Sequence, residues 1–260
     1  MIGLGNQAVP WQWRKAGGVW TPASVADLAL WYRGDDEDCA FGAGPVYETI
    51  PNAAETTLPL GATGAARPPV VAVNGRNAAD LDGTNHYMVS SGSKTPLRCL
   101  HNGTCLLYLV YVARSTSGYQ HILDTQRGAS SWANGLLLRG LDDKIQLILG
   151  NNSGAYPVNL ITAAFLASGT TYLVKARMEY GGGTEVQLWT NGTNRGTDSF
   201  GAAPAAGDPA YDLHVGARPI DGANKNECDF CELLAYSSIP SGDDQALIES
   251  YLDERWDWSP

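Results

Sequence analysis

From residue 70 onward the chain repeats one pattern. Short runs of apolar side chains, alternating with polar ones or nearly unbroken, are each closed by Gly, Asn or Asp. The runs at 104–114 (TCLLYLVYVAR), 135–140 (GLLLRG), 143–150 (DKIQLILG) and 170–180 (TTYLVKARMEY) read as β-strands. So do 184–193 (TEVQLWTNGT), 211–219 (YDLHVGARP) and 229–238 (DFCELLAYSS). Residues 70–91, VVAVNGRNAADLDGTNHYMVSS, give two runs around Asn74-Gly75, a dipeptide suited to a two-residue hairpin turn. NNSG, YGGG and TNGT mark further turns, and no helical period intervenes, so the pattern predicts an antiparallel sandwich or barrel rather than a βαβ sheet.

The two ends differ from this middle. Residues 1–20 show little periodicity and carry Trp11, Trp13 and Trp20, which describes an arm that needs a surface to cover it. TPASVADLALWYRGDD (21–36) predicts a short turn capped by Thr21 or Ser24 and then a strand. Residues 40–69 have sparse apolar positions and read as a long loop with room for one edge strand. SGDDQALIESYLDERW (241–256) predicts the one helix, with Ser241 as N-cap, Asp244 at the third helical position, and Leu247, Ile248, Tyr251, Leu252 and Trp256 on one stripe. The expected organisation is an arm over 1–20 and one β domain over 21–260 that includes the helix 241–256. Trp256 and Trp258 follow on that helix, so the arm either packs on this tail or docks on a neighbouring chain.

Composition supports the all-β reading and removes several functions. Charged residues are 17% of the 260-residue chain, while Gly (30) and Pro (14) are plentiful, as short strands with tight turns require. Lys and Arg number 17 against 27 Asp and Glu, a formal charge of −10, which argues against nucleic-acid partners and anionic membranes. MIGLGNQAVPWQWRK lacks the apolar run of a secretory signal, and no stretch approaches the ~18 apolar residues that suggest a membrane span. Five cysteines are an odd number for a disulfide framework, although Cys99 and Cys105 flank LHNGT and are placed to bridge a hairpin loop.

Several segments, in order, resemble the concanavalin A-like lectin/glucanase superfamily in its laminin-G-like branch, found in bacterial and phage proteins. They are TPASVADLALWYRGDD, the NGRNAADLDGTNHYMV stretch with its D-G-x-x-x-Y, the TTYLVKARMEYGGGTEVQLWTNGT hairpin, and CELLAYSSIPSGDDQALIESYLDERW. Together they span roughly residues 20–256. The resemblance implies a two-sheet antiparallel jelly-roll sandwich with an N-terminal arm and a C-terminal helix, and by itself no activity, because the fold hosts lectins, glycosidases and interaction domains. The M-x-G-L-G-like opening is similar to phage virion proteins of this group, which implies a virion location and a head-decoration or tail role. LWYRGDDEDC departs from the LWLDASD more usual in the branch, which removes that guide to the roles of its acids.

ECDFCELLAYSS (227–238) admits three readings. Glu227, Asp229 and Glu232 fit E-x-D-x-x-E, and a bulged strand would put them on one face, as a retaining glycosidase with carboxylates about 5–5.5 Å apart requires. Against this, the stretch is the last strand before the helix, with no later strands to build sugar subsites, and the laminin-G-like branch commonly carries a Glu there without catalysis. Cys228 and Cys231 make a C-x-x-C, yet the alternation continues through them, where a zinc knuckle needs a tight turn and two more ligands. An ordinary strand is the reading preferred. GLGNQA (3–8) fits G-x-G-x-x-A but no strand precedes it, and there is no G-x-S-x-G or H-E-x-x-H. His86, His101, His121 and His214 are scattered, each expected in a turn or on a sheet surface.

No catalytic residue, metal ligand or cofactor is therefore assigned. The acid pairs Asp35/Asp36, Glu37/Asp38 and Asp142/Asp143 leave Ca²⁺ as the one ion that loops would admit, with solvated turn acids the simpler account. The preferred function is a non-enzymatic assembly protein docking on other virion proteins or copies of itself through Trp11, Trp13 and Trp20. One alternative is an adhesin for cell-surface glycan, stacking sugars on Tyr119, Trp132 and Tyr156 with Asn134, Asn151 and Asn152 bonding hydroxyls. The other is a glycosidase using Glu227 and Glu232.

Overall fold

Two-residue turns set the register of the sheets. Asn74-Gly75 (φ 48° and 72°) joins Val73 to its partner Arg76, and Asn191-Gly192 (φ 46° and 72°) joins Thr190 to Thr193, the left-handed pair that matches strand twist. Asp142 (φ 52°), alone in the left-handed region, opens a third two-residue turn between the paired Leu141 and Lys144, and its Oδ1 accepts the Gly118 N–H at 3.1 Å. The Asp142/Asp143 acids are thus turn residues.

The computed structural model describes residues 14–15, 18–54, 57–126, 133–152 and 156–258. It is all-β apart from one α-helix and short 3₁₀ turns, with two antiparallel sheets face to face. The eight-stranded inner sheet runs Thr193–Asp198, Val186–Thr190, Thr170–Glu179, Thr104–Ala113, Glu227–Tyr236, Arg76–Asp82 and Val70–Val73, with Leu28–Arg33 also paired to Glu227–Tyr236. The nine-stranded outer sheet runs Val158–Ile161, Lys144–Gly150, Gly135–Leu141, Tyr119–Asp124, His214–Val215, Met88–Ser90, Leu60–Gly61, Tyr47–Ile50 and Ala40–Phe41.

The central strands of the inner sheet are buried on both faces, which explains their unbroken apolar runs. Along Thr104–Ala113, Cys105, Leu107, Leu109 and Tyr111 enter the core between the sheets, whereas Leu106, Tyr108 and Val110 enter a second core on the opposite face. Helix α1 (Gly242–Trp256) roofs that second core with Ile248, Leu252 and Trp256 buried and Leu247 and Tyr251 packed at its margin. The Ser241 hydroxyl accepts the Asp244 N–H at 3.1 Å, and the acidic first turn and Arg255 in the last turn suit the helix dipole.

Trp20 also lies in this second core, 3% exposed, edge-on to Tyr251 with ring centroids 6.2 Å apart, and Trp258 joins the same cluster. Its ring is therefore committed to its own chain rather than offered to a partner, and a boundary at residue 20 cuts through a packed cluster. Trp11 and Trp13 lie outside the described residues, while Arg14–Lys15 pairs with Gly18–Val19.

Elsewhere the strands differ from the sequence reading. Residues 40–69 hold three short strands, of which Ala40–Phe41 forms the sheet edge, instead of at most one, because Tyr47, Ile50, Leu58 and Leu60 reach the core from pieces too short to display a period. Tyr119–Asp124 and Val158–Ile161 are additional strands, and YDLHVGARP contributes only His214–Val215. Tyr119–Asp124 escaped notice because Gln120, His121 and Asp124 are polar yet buried, which masks the alternation.

Candidate functional site

Glu232 is a structural hub. The pairing of Glu227–Tyr236 with Thr104–Ala113 shifts between Val110 and Tyr111, a bulge that places both Cys231 and Glu232 on the helix side. There the Glu232 carboxylate, 1% exposed, accepts from Trp31 Nε1 (2.7 Å), Trp256 Nε1 (2.7 Å), Arg255 Nε (3.1 Å) and the Tyr251 hydroxyl (3.2 Å). Burial, then the charge of Glu232, push the Tyr251 phenol up, which keeps it a donor. Asp229 is held by Arg114, with Nε at 3.1 Å, and burial pushes its carboxyl above the usual range. Glu227 is exposed at the strand's start, five residues and therefore on the order of 15 Å from Glu232. These two carboxylates cannot flank one glycosidic bond, and Glu232 has no room for a sugar.

The other candidates are also accounted for. Cys228 points into the core between the sheets and Cys231 into the core under the helix, so the C-x-x-C has its sulfurs on opposite faces. All five cysteines are free and buried, and Cys105 meets Cys99 as a thiol neighbour, which with burial raises the Cys105 pKa. Asp35 pairs with Arg76 and Arg255, and Asp36 with Arg33. Among the described residues no group of three or more His, Cys, Asp or Glu is placed to hold a metal.

Two histidines are interior rather than superficial. His101 is 1% exposed with Nε2 3.1 Å from the Gly207 carbonyl, and burial lowers its pKa. His121 is fully buried, with Nδ1 2.6 Å from Asp124 Oδ2 and Nε2 3.3 Å from Asn224 Nδ2, so it ties the loop before Glu227 onto the outer sheet.

The open face of the outer sheet is covered by neither sheet nor helix α1, and it carries a groove of about 370 Å³ near the strand Met88–Ser90. Gly61 and Val89 form the floor, Thr63 and Ser91 contribute hydroxyls, and Glu48 and Tyr87 line the sides. A groove of this size, lined by an aromatic ring and a few polar side chains, is a candidate ligand site. A Cβ built on Gly61 would meet only backbone oxygens at 3.7 and 3.9 Å, so the floor is open because this residue is glycine. Tyr87 stacks on His214 (centroids 6.3 Å, planes 12° apart), which stiffens the wall. Burial lowers the His214 pKa, and Nδ1, 3.1 Å from the Asp212 carbonyl, is its donor, so the ring is neutral at pH 7. Glu48 pairs with Arg67 at 2.7 Å, both partly exposed.

The sequence motif D-G-x-x-x-Y explains how Tyr87 is presented. Asp82 Oδ1 accepts the backbone N–H groups of Thr84 (2.9 Å), Asn85 (2.7 Å) and His86 (2.9 Å). Gly83 takes φ +69°, and a Cβ there would lie 3.1 Å from that of Glu227. Despite a desolvation cost, the three N–H groups lower the Asp82 carboxyl to about 2. Its contribution is therefore present above pH ~4, the ordinary carboxylate range, and is lost as pH falls toward 2. Asp82→Ala should cost about 1–2 kcal/mol, the scale of a lost cap, read as a lowered urea midpoint at pH 7 that converges on wild type at pH 2.

The aromatic and amide residues singled out in the sequence do not converge on this groove. Tyr119 opens a strand, is 54% exposed and stacks over Arg139 at 4.5 Å. Arg139 Nε donates to Gln146 (2.8 Å) and Gln146 to Asn159 (2.6 Å), a largely buried polar ladder across three strands of the outer sheet. Asn134 precedes Gly135–Leu141 at its other end, about 20 Å from Tyr119, which lies beside Leu141. Tyr156 and Asn151 lie near that far end, where Asn151 Nδ2 reaches the Ala203 carbonyl at 3.0 Å, and Trp132 lies outside the described residues. Glu48, Thr63 and Ser91 carried no sequence signal, since three strands and a turn bring them together.

No family model matches the chain, and no curated protein does. Solved structures do. The receptor binding domain of botulinum neurotoxin D superposes with a TM-score of 0.64 at 10% identity, over 90% of this chain and 54% of that one. The binding domain of Paraclostridial Mosquitocidal Protein 1 gives 0.62 at 11%, over 90% and 54%. The ligand binding domain of botulinum neurotoxin serotype D in complex with N-acetylneuraminic acid gives 0.61 at 11%, over 88% and 52%. The likeness shows the fold, a two-sheet β-sandwich, and the chain spans about half the length of the structures it matches.

Proposed function

We propose that this chain is a non-enzymatic recognition module that binds a glycan in the groove beside Tyr87. The observation that carries the reading is the groove itself, whose lining brings together the Tyr87 ring, the Glu48 carboxylate and the hydroxyl-bearing Thr63 and Ser91. A sugar's C–H face packs on an aromatic ring while its hydroxyls need donors and acceptors, which is what this lining supplies. Support also comes from the structural relatives, which are binding domains, one of them in complex with N-acetylneuraminic acid and another, from botulinum neurotoxin DC, with SialylT. A virion location, implied by the sequence resemblance, is compatible with this reading, since a particle-surface sandwich that reads host glycans would use the same groove.

The test is a glycan array probed with the wild-type chain and with Tyr87→Ala. Wild type should bind a defined subset of glycans, and Tyr87→Ala should weaken those signals at least tenfold with its cooperative unfolding retained. An unchanged binding profile in a folded Tyr87→Ala protein would sink the proposal.

A further inference from the structure

We infer that the groove selects a neutral sugar residue and disfavours a sialylated one, an inference that rests on the glycan-binding reading above. Among the described residues Glu48 is the charged member of the lining. The nearby cation, Arg67, is already engaged with Glu48 at 2.7 Å. His214, behind Tyr87, is neutral at pH 7 because burial lowers its pKa and its Nδ1 proton serves the Asp212 carbonyl. An acidic sugar would bring a second carboxylate beside Glu48 with no unpaired cation among the described residues of the lining to receive it, into a chain of net charge −10. A neutral hexose meets the opposite situation. Two adjacent hydroxyls donate to Glu48 in charge-assisted bonds, Thr63 and Ser91 complete the polar contacts, and the ring packs on Tyr87 over the open floor at Gly61. Glu48 and Arg67 are each about a third exposed, so dissolved ions weaken the repulsion and discrimination should narrow as salt is raised.

The experiment is titration calorimetry of the full chain with lactose and with 3′-sialyllactose at low and high salt, preceded by an array of neutral and sialylated glycans if lactose is not the best neutral probe. The expected result is a neutral probe bound at least tenfold more tightly than its sialylated form, with the gap narrowed by salt and by Glu48→Gln. Gly61→Leu, which fills the floor at a backbone conformation open to any residue, should remove binding while thermal unfolding stays cooperative. Equal or tighter binding of the sialylated probe, abolished by Gly61→Leu, would overturn the inference and leave the groove as the glycan site. Binding that persists in folded Gly61→Leu and Tyr87→Ala, or no glycan bound at all, would overturn the underlying reading as well.

Discussion

Glu232→Ala should lower the unfolding free energy by about 3–5 kcal/mol, the scale measured when one partner of a buried charged network is removed. Four donors from two elements converge on this carboxylate: Trp31 in the strand paired beside it, and Tyr251, Arg255 and Trp256 in helix α1. Without the acceptor, two indole N–H groups and a phenol are left buried beside a guanidinium whose other partner is Asp35. Glu232→Gln keeps the volume but loses the charge opposite Arg255 and one acceptor, so about 1.5–3 kcal/mol is expected. Glu227→Gln, on an exposed residue, should stay within about 0.5 kcal/mol of wild type. Urea denaturation of the three variants decides the matter, and an unmoved midpoint in Glu232→Gln would remove the hub assignment. Since whole domains hold about 5–15 kcal/mol, the alanine variant should lose a large share of its stability.

Cutting the chain before Ser241 should leave no cooperatively folded, soluble protein. The missing helix buries Ile248, Leu252 and Trp256, and at about 1.5–3 kcal/mol for each large side chain the loss is about 5–9 kcal/mol, comparable with the whole stability of a domain. What remains exposes Trp31, Leu106, Tyr108, Val110, Leu234 and Tyr236 as one apolar face on a sheet, an aggregation surface. Dye binding by exposed apolar surface, loss of near-ultraviolet circular dichroism and aggregation on light scattering are the expected readouts. A soluble truncated chain with an unchanged urea midpoint would mean that the inner sheet does not need its roof. The same reasoning limits any truncation of the N-terminal arm, which has to stop short of Trp20 because that ring belongs to this core.

Much of the fold was legible along the chain. Asn74-Gly75 and Asn191-Gly192 announce hairpins because few other residues accept two successive left-handed conformations, and both are turns in the structure. The Ser241 cap and the Ile248, Leu252, Trp256 stripe announce helix α1 for equally local reasons. The strand at 119–124 was not legible, because Gln120, His121 and Asp124 are polar yet buried, and what covers them includes residues distant in the chain. Asn224 is one of them.

The sites divide in the same way. The D-G-x-x-x-Y motif is local: Asp82 binds the three amides that follow it, so the turn that presents Tyr87 is written in consecutive residues. By contrast, Glu48, Thr63 and Ser91 come from separate short segments of weak periodicity, and only sheet pairing between 47–50, 60–61 and 88–90 makes them neighbours. ECDFCE shows the same limit in reverse. Its spacing allows a pair of catalytic carboxylates or a metal knuckle, and what excludes both is the packing of helix α1 over one face and of the outer sheet over the other. The sequence alone thus determined the longer apolar strands, the tight turns, the helix and its cap, because these depend on interactions within a few residues. Which carboxylate is buried as a hub and which faces an open groove was decided by tertiary structure, because solvent exposure and charge neighbours are set by segments far apart in the chain.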